Sequence, residues 1–404
     1  MTGAMSNLLF LCHRMGRGYG VSVVIEQIAR RLAERGIGVT VGCLENDGTI
    51  AELDIRPVEA QPDAIAALAR SVGARVLAAH TTPFFEALPP LQGPFSCWAW
   101  EHGDPTPAFF EEDVAERQRI ADHKRAAVYP ALAGVIAISE FIRHDIGWPR
   151  SHLVFNGCDH VPDRGSKGLQ DFPLGDGAPL RIGTLVRIGP GEARYKGTQH
   201  FLDLAGAVQA AGINAEFHVM GRGDPKDAAA FHAAGIVPHL NATDEQRADY
   251  LRRLDVFVSL SLWEGCNLPL LEAQALGTAG LACDTGAHPE MTPLLAADSA
   301  DMLSLIHAYA RNRDLLRQHS LMAYRFVRGR YGWARAADET VRILGLHADG
   351  RPAPAPIVPA PRFEGSWTRA YVGKLLHALR TEGVSGTAQR TARYLSYQVQ
   401  RRLR

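Results

Sequence analysis

Short apolar, β-rich runs alternate with amphipathic stretches along this chain, and the alternation occurs in two series. In the first, Leu8 to Cys12 reads as a strand and Val23 to Arg35 as a helix with apolar positions at helical spacing. Val39 to Leu44, Val76 to Ala79, Phe95 to Trp98 and Gly134 to Ile138 read as further strands, with a helix over Ala64 to Val72 and another from Glu140. Val154 and Phe155 close this half ahead of Asn156-Gly157. The stretch VPDRGSKGLQDFPLGDGAP, Val161 to Pro179, is rich in Pro, Gly and Asp and reads as a linker. In the second series the strands are Arg181 to Val186, Ala215 to Met220, Val237 to Leu240, Val256 to Leu260 and Gly280 to Cys283. Its helices include Gln199 to Ala211 and Asp244 to Arg253, and the chain reads as helical again from His319 to Leu344. Strands that alternate with helices imply a parallel sheet with helices on both faces. A chain of 404 residues is long enough for two such cores. The expectation is α/β, with domains over 1–165 and 178–345 and a ligand-binding cleft between them.

Lys+Arg and Asp+Glu balance at 43 each, so no global field points to nucleic acid. The six cysteines are scattered without a Cys-x-x-Cys pair, which argues against a zinc site or a disulfide framework and for a reducing compartment. The N-terminal apolar run lacks a basic leader and is short for a signal peptide. The longest apolar stretch, Ala126 to Ile138, contains Pro130 and falls short of a membrane span. The expectation from these features is a cytoplasmic protein. Residues 350–404 form a tail: RPAPAPIVPAP reads as extended and polyproline-like, and Trp367, Tyr371, Leu375 and Leu379 then repeat at helical spacing. From Ser366 to Arg404 there are eight Lys/Arg and one Glu. Such a basic amphipathic segment suits peripheral contact with the inner face of an anionic membrane, packing on the protein body, or pairing with another subunit.

The chemistry concentrates in SLSLWEGCNLPLLEAQALGTAGL. The run into Leu260 is a buried strand, Gly265 breaks it, Asn267 is a good N-cap and Pro269 fits only a first helical turn. Glu264 therefore lies in a strand-to-helix turn and Glu272 about a turn and a half into the helix. Both can face the C-terminal edge of a parallel sheet, beside the amides of a helix start. Helical Glu is ordinarily a solvated surface residue, and spacing alone does not distinguish the two readings. The whole string, however, resembles the signature of retaining glycosyltransferases of group 1, the family 4-like GT-B enzymes, in which seven residues separate the two Glu as they do here. Cys266 and Asn267 depart from the family's usual small pair.

Further motifs follow in the family's order. HRMGRGYGVS, with Gly16, Gly18 and Gly20, precedes a helix. By itself it suits any close approach of backbone to ligand, but its spacing is not GxGxxG. WAWEHGDP carries Glu101 and His102-Gly103, Asn156-Gly157-Cys158-Asp159 matches an Asn-Gly-x-Asp turn, and Met220 to Gly223 matches Gly-x-Gly. Gly286 and Glu290 in DTGAHPE match an element read as structural. Arg187, and Lys196-Gly197 beyond the loop IGPGEARY, supply positive charge, with Arg194 as a competitor for the role of Arg187.

The resemblance, over roughly residues 8–345, implies a GT-B architecture: two Rossmann-like parallel-sheet domains facing a central cleft, the last helix crossing back to the first domain. It implies that Arg187 and Lys196 hold the donor diphosphate together with amides at Asn267 and Leu268, with Gly265 beside them in the donor site. Glu272 would bind the ribose, and Glu264 a sugar hydroxyl while it stabilises an oxocarbenium-like transition state. Gly18, Gly20, Gly221 and Gly223 would line the nucleotide, and His102 would lie near the donor sugar, with Glu101 a possible acceptor contact and His80 a weaker candidate. The activity implied is retaining transfer of a hexose-type sugar from a nucleotide-sugar to a glycan or lipid-linked acceptor, in bacterial-type surface polysaccharide synthesis. The chain contains no Asp-x-Asp pair, so no metal and no cofactor is expected beyond the nucleotide-sugar substrate. A non-catalytic nucleotide- or glycan-binding subunit and a nucleotide-sugar epimerase remain the alternatives on this fold.

Overall fold

The computed structural model describes residues 7–105, 107–109, 114–168, 171–172, 178–188, 195–347 and 363–364. The first domain runs through β1 (Asn7–Met15), α1 (Gly20–Ala33), β2 (Val39–Asn46), β3 (Asp54–Pro57), α2 (Pro62–Ser71), β4 (Ala74–Ala79) and α3 (Phe84–Ala87). It continues through β5 (Ser96–Glu101), α4 (Val114–His123), a π-helical turn at Lys124–Val128, β6 (Gly134–Ala137), α5 (Glu140–Ile146) and β7 (Ser151–Leu153). β1 is central because its run Leu8 to Cys12 is wholly apolar and fully buried. α1 turns Val24, Ile25, Ile28 and Leu32 onto the sheet at helical spacing.

The second domain comprises β8 (Leu180–Leu185), α6 (Thr198–Ala210), β9 (Ala215–Gly221), α7 (Ala229–Ala233), β10 (Ile236–Leu240), α8 (Asp244–Arg253) and β11 (Val256–Ser259). Then come α9 (Leu268–Ala275), β12 (Ala279–Cys283), α10 (His288–Met291), β13 (Leu294–Ala296), α11 (Ser299–Arg311), α12 (Arg313–Arg330) and α13 (Trp333–Leu344). A short strand β14 (Phe363–Glu364) pairs antiparallel with Asn46 and Glu45 of β2. The first sheet is ordered β14-β2-β1-β4-β5-β6-β7, with β3 also on β2, and the second β10-β9-β8-β11-β12-β13. Apart from β14, every pairing is parallel. In each sheet the order reverses beside the first strand, between β1 and β4 and between β8 and β11, which opens a crevice at the strands' C-terminal ends.

The helix read from His319 to Leu344 is interrupted. α12 begins at Arg313, ends at Arg330, and the backbone is extended at Tyr331 and Gly332 before α13 starts. That break sends α13 across to the first domain, where Arg35, just past α1, pairs with Asp338 at 2.6 Å and donates to the Ala334 carbonyl at 3.0 Å. The basic tail segment, expected to be helical, and Arg194 lie outside the described residues.

Candidate active site in the interdomain cleft

The turn after β11 places Glu264 almost fully buried, at 3% exposure. Lys196 donates to both of its oxygens, at 3.0 Å to Oε1 and 3.1 Å to Oε2. Ser261 donates to Oε1 at 2.8 Å, and the Asn267 amide group lies 3.4 Å from the same oxygen. Among the described residues, Oε2 is bonded to Lys196 alone. A second set of bonds orients Asn267. His288 Nδ1 donates to the Cys283 carbonyl, which leaves Nε2 to accept from the Ser259 hydroxyl at 2.9 Å. Ser259 in turn accepts from Asn267 Nδ2 at 2.7 Å. Burial lowers the His288 pKa, which keeps the ring neutral and suits that acceptor role. Asn267 Oδ1 caps α9 by accepting from Leu270 N at 3.1 Å. One side chain thus fixes both the helix start and the carboxylate.

That arrangement narrows the expected anion site. The Asn267 amide is engaged by the Met291 sulfur, Pro269 has no N–H, and the Leu270 amide is capped. Of the amides expected at the helix start, the one at Leu268 remains for a ligand, so charge compensation must rest mostly on side chains.

Glu272 is completely buried, on the α9 face toward the cleft. Its Oε1 accepts from His160 Nε2 at 2.9 Å and lies 3.3 Å from Arg247 of α8. Oε2 is buried with no hydrogen-bond partner. Burial alone would raise this carboxyl's pKa. The Arg247 charge and the His160 bond outweigh burial and hold it below the ordinary value. His160 and Arg247 also line a cavity of about 410 Å³ with Gly16, Gly18 and α1.

On the acceptor side, Gly18 has φ +78°, and a Cβ there would meet the Arg222 guanidinium at 2.7 Å. Arg222 donates to the Arg17 carbonyl and lies over the Tyr19 ring at 5.2 Å, so the Gly-Arg-Gly turn of the second domain reaches the glycine loop of the first. Gly20 opens α1 with free space around it. Gly221 and Gly223 are packed against the backbone beyond β8: a Cβ on either would lie 1.9 Å from Val186 O or 2.3 Å from Ile188 O. Gly265 is equally tight against the His102 carbonyl, at 2.4 Å, which brings the Glu264 turn onto the His102-Gly103 loop. Arg187 is exposed just past β8.

His102 Nε2 sits 3.0 Å from His80 Nδ1, and His80 stacks on Trp100 with ring centroids 5.1 Å apart. Burial, with Lys124 adding to it, pushes the His102 pKa down to about 3, and burial also lowers that of His80. Both rings are therefore neutral. Glu101 is a correction to the sequence reading: its carboxylate is buried on Lys124 at 2.9 Å and accepts from Tyr129 at 2.7 Å, so it is spent on holding the π-helical turn. Across the domains, Ser139 donates to the Gly265 carbonyl at 2.8 Å. Glu290 accepts from the Glu140 and Phe141 amides, at 2.8 and 2.7 Å, and so caps α5 from the opposite domain. The sequence reading did not single out His160, Arg247, Ser259, Ser261 or His288. For His160 alone a local signal was present, since it directly follows the Asn156 to Asp159 turn.

Two doubly wound domains meeting at their strand ends define a GT-B protein. Residues 182–312, within the second of these domains, match the family of group 1 glycosyl transferases. A phosphatidyl-myo-inositol mannosyltransferase from Mycolicibacterium smegmatis is 25% identical over 223 residues, 52% of this chain and 57% of the relative. The match thus spans little more than half the relative's length. Sucrose-phosphate synthase from Thermosynechococcus elongatus is similar in fold, with a TM-score of 0.66 at 16% identity over 84% of this chain and 98% of that one. A glycosyltransferase from Rickettsia africae has a TM-score of 0.63 at 12% identity over 84% and 98% of the two chains. WaaG, a glycosyltransferase involved in lipopolysaccharide biosynthesis, has a TM-score of 0.64 at 12% identity over 84% and 100%.

Proposed function

We propose that this protein is a retaining, metal-independent glycosyltransferase that moves a hexose-type sugar from a nucleotide-sugar to a glycan or lipid-linked acceptor. The observation that carries the reading is the pairing of two buried carboxylates, each with its own cation, on one strand–turn–helix unit: Glu264 with Lys196 and Glu272 with Arg247. The Lys196 ammonium has three donors and gives two to Glu264, which leaves one for a diphosphate oxygen. Arg187, exposed at the end of β8, adds a second cation where negative charge develops on the leaving diphosphate. Glu264, an anion in a nearly dry site, stabilises positive charge on the sugar ring, and its Oε2 can accept a sugar hydroxyl. Glu272 Oε2, buried and unpartnered, accepts a ribose hydroxyl. The neutral His102 ring, bonded to His80, stands ready to contact the sugar without adding charge. Retention without a clear nucleophile would place the attack on the face from which the diphosphate departs, whose oxygen would take the acceptor's proton.

The relative's name, a phosphatidyl-myo-inositol mannosyltransferase, supports a hexose donor and a lipid-linked acceptor. No described helix is long and apolar enough to cross a membrane. On this reading acceptor access is from the cytoplasmic face, with peripheral contact through the basic residues of 366–404, in surface polysaccharide synthesis. The test is a thermal-shift and slow-hydrolysis panel of UDP-, GDP-, ADP- and TDP-sugars without metal or acceptor, with the anomer of the released sugar read by NMR. Stabilisation by one nucleotide class, with hydrolysis that retains configuration and disappears in Glu264→Gln, is expected. Silence across the panel would overturn the catalytic reading in favour of a binding subunit, and loss of rate in EDTA would overturn metal independence.

A further inference from the structure

His160 lies where the chain passes between the domains, and its contacts are unusually complete. Its Nδ1 accepts the indole N–H of Trp333 at 3.0 Å. A neutral imidazole that accepts at Nδ1 carries its proton on Nε2, and here Nε2 donates to Glu272 Oε1 at 2.9 Å. Trp333 is itself immobile. It is fully buried at the start of α13, and its backbone N–H donates to Asp159 Oδ1 at 2.8 Å. It also packs on Gly157 so closely that a Cβ there would fall 2.5 Å from the Trp333 nitrogen. The tautomer of His160 is therefore set by a residue of the crossing helix, and it matches what Glu272 requires. With His160 and Arg247 both on Oε1, the Glu272 carboxylate is pinned through one oxygen. The other oxygen is left buried and unmet, as an acceptor waiting for a hydroxyl.

We infer that His160 is a positioning residue for nucleotide recognition: with its tautomer fixed by Trp333, it aims the free Glu272 oxygen at the ribose hydroxyls of the donor. The inference rests on the proposed reading of Glu272 as the ribose contact. It ties recognition of the nucleotide to the seam through which the chain crosses twice between domains, so a change at Trp333 reaches the ribose contact through His160 and Glu272.

The experiment is calorimetric titration of the full chain with a nucleoside diphosphate and with its 2′-deoxy and 3′-deoxy counterparts, the base being the one that stabilises the protein in the thermal panel. A buried acceptor that loses its hydroxyl should cost the wild type about tenfold in affinity for at least one deoxy ligand. In His160→Leu that ratio should collapse to about threefold or less, with the donor KM raised and kcat changed only a few-fold. His160→Gln, which can still accept from Trp333 and donate to Glu272, should restore most of the discrimination. Trp333→Phe, which removes only the indole N–H from a packed aromatic, should give an intermediate ratio. If His160→Leu does not fold, Trp333→Phe carries the same comparison. A folded His160→Leu or Trp333→Phe protein with the wild-type ratio would overturn the positioning role. A wild type that binds the ribo and deoxy ligands alike would overturn the assignment of Glu272 and the inference with it, while a wild type that binds no nucleotide would overturn the proposed function.

Discussion

Replacing Gly197 by Ala should damage stability and turnover together, for reasons that can be worked from the loop geometry. Gly197 follows Lys196 with φ +72° and ψ 27°, a left-handed conformation that costs a residue with a Cβ about 1–2 kcal/mol. The added Cβ would also lie 1.9 Å from the Leu260 carbonyl oxygen, where contacts under 3.0 Å essentially never occur, so the two loops must part by about 1 Å. They are laced together by the Leu262 N–H on the Tyr195 carbonyl at 2.7 Å and by Ser261 on the Lys196 carbonyl at 3.4 Å. Losing the tighter of these bonds adds about 1 kcal/mol, for a total of roughly 2–3. For a unit of this size that lowers Tm by about 5–10 °C. The same displacement pulls Lys196 away from Glu264, now 3.0 Å apart, and a misplacement of about 1 Å at a reacting centre costs about a hundredfold in rate. Thermal denaturation and donor hydrolysis, measured on the same preparation, read both effects. A Gly197→Ala protein that melts within a degree of wild type and turns over within twofold would refute the reasoning that joins this glycine to the Lys196–Glu264 pair.

Three further outcomes follow from charged side chains and their partners. Burial lowers the Lys167 pKa from 10.5 to about 7, so between these values the unfolded chain binds a proton that the folded one lacks and stability rises with pH. Lys167→Met should remove that slope, so its urea midpoint should exceed that of wild type most at pH 6 and least at pH 9; a gap that widens with pH would refute it. Lys124→Met, which leaves the buried Glu101 with Tyr129 alone, should cost about 3–5 kcal/mol in denaturant titration, with most of the loss recovered in Glu101→Leu/Lys124→Met. Glu290→Gln, which retains one of two acceptors for the α5 amides, should raise the donor KM several-fold while Tm stays within about 2 °C, because a charge at a helix start is worth only about 0.3–1 kcal/mol.

Much of the fold was legible because its determinants are local. β1, β8 and β11 are short apolar runs buried on both faces, and α8 was bounded correctly at Asp244 and Arg253, where Thr243 and Gln246 form a capping box. β3 was not visible, since Asp54–Pro57 is half polar and becomes a strand only because β2 offers it an edge. The break at Tyr331 and Gly332 was missed because the sequence on either side is helix-forming, and the turn is held by distant groups such as Asp159. The site divides along the same line. Glu264, Glu272 and Lys196 stand in compact motifs, whereas the His160–Glu272 bond joins positions 112 apart and Arg247 sits on a helix whose pattern reads as plain amphipathic surface. Such partnerships exist only once the sheets are assembled. The glycine contacts show the converse. Gly265 and Gly18 sit in recognisable motifs, yet what makes them necessary is the opposite domain's backbone and guanidinium.

The two passages of the chain between the domains run side by side. Cys158 N bonds the Tyr331 carbonyl at 3.2 Å, its Sγ reaches the same oxygen, and Asp159 holds the start of α13. Strands fastened together in this way behave as one strap and resist shear, so the lobes are left a single axis of swing. The grip of Glu290 on α5 lies beside this strap, because the Tyr331 hydroxyl donates to the Glu290 carbonyl. The geometry beside the strap, where Glu290 meets α5 and His160 joins Trp333 to Glu272, is therefore preserved through the whole swing. On the proposed reading of Glu272, the ribose contact would keep its shape however far the lobes part.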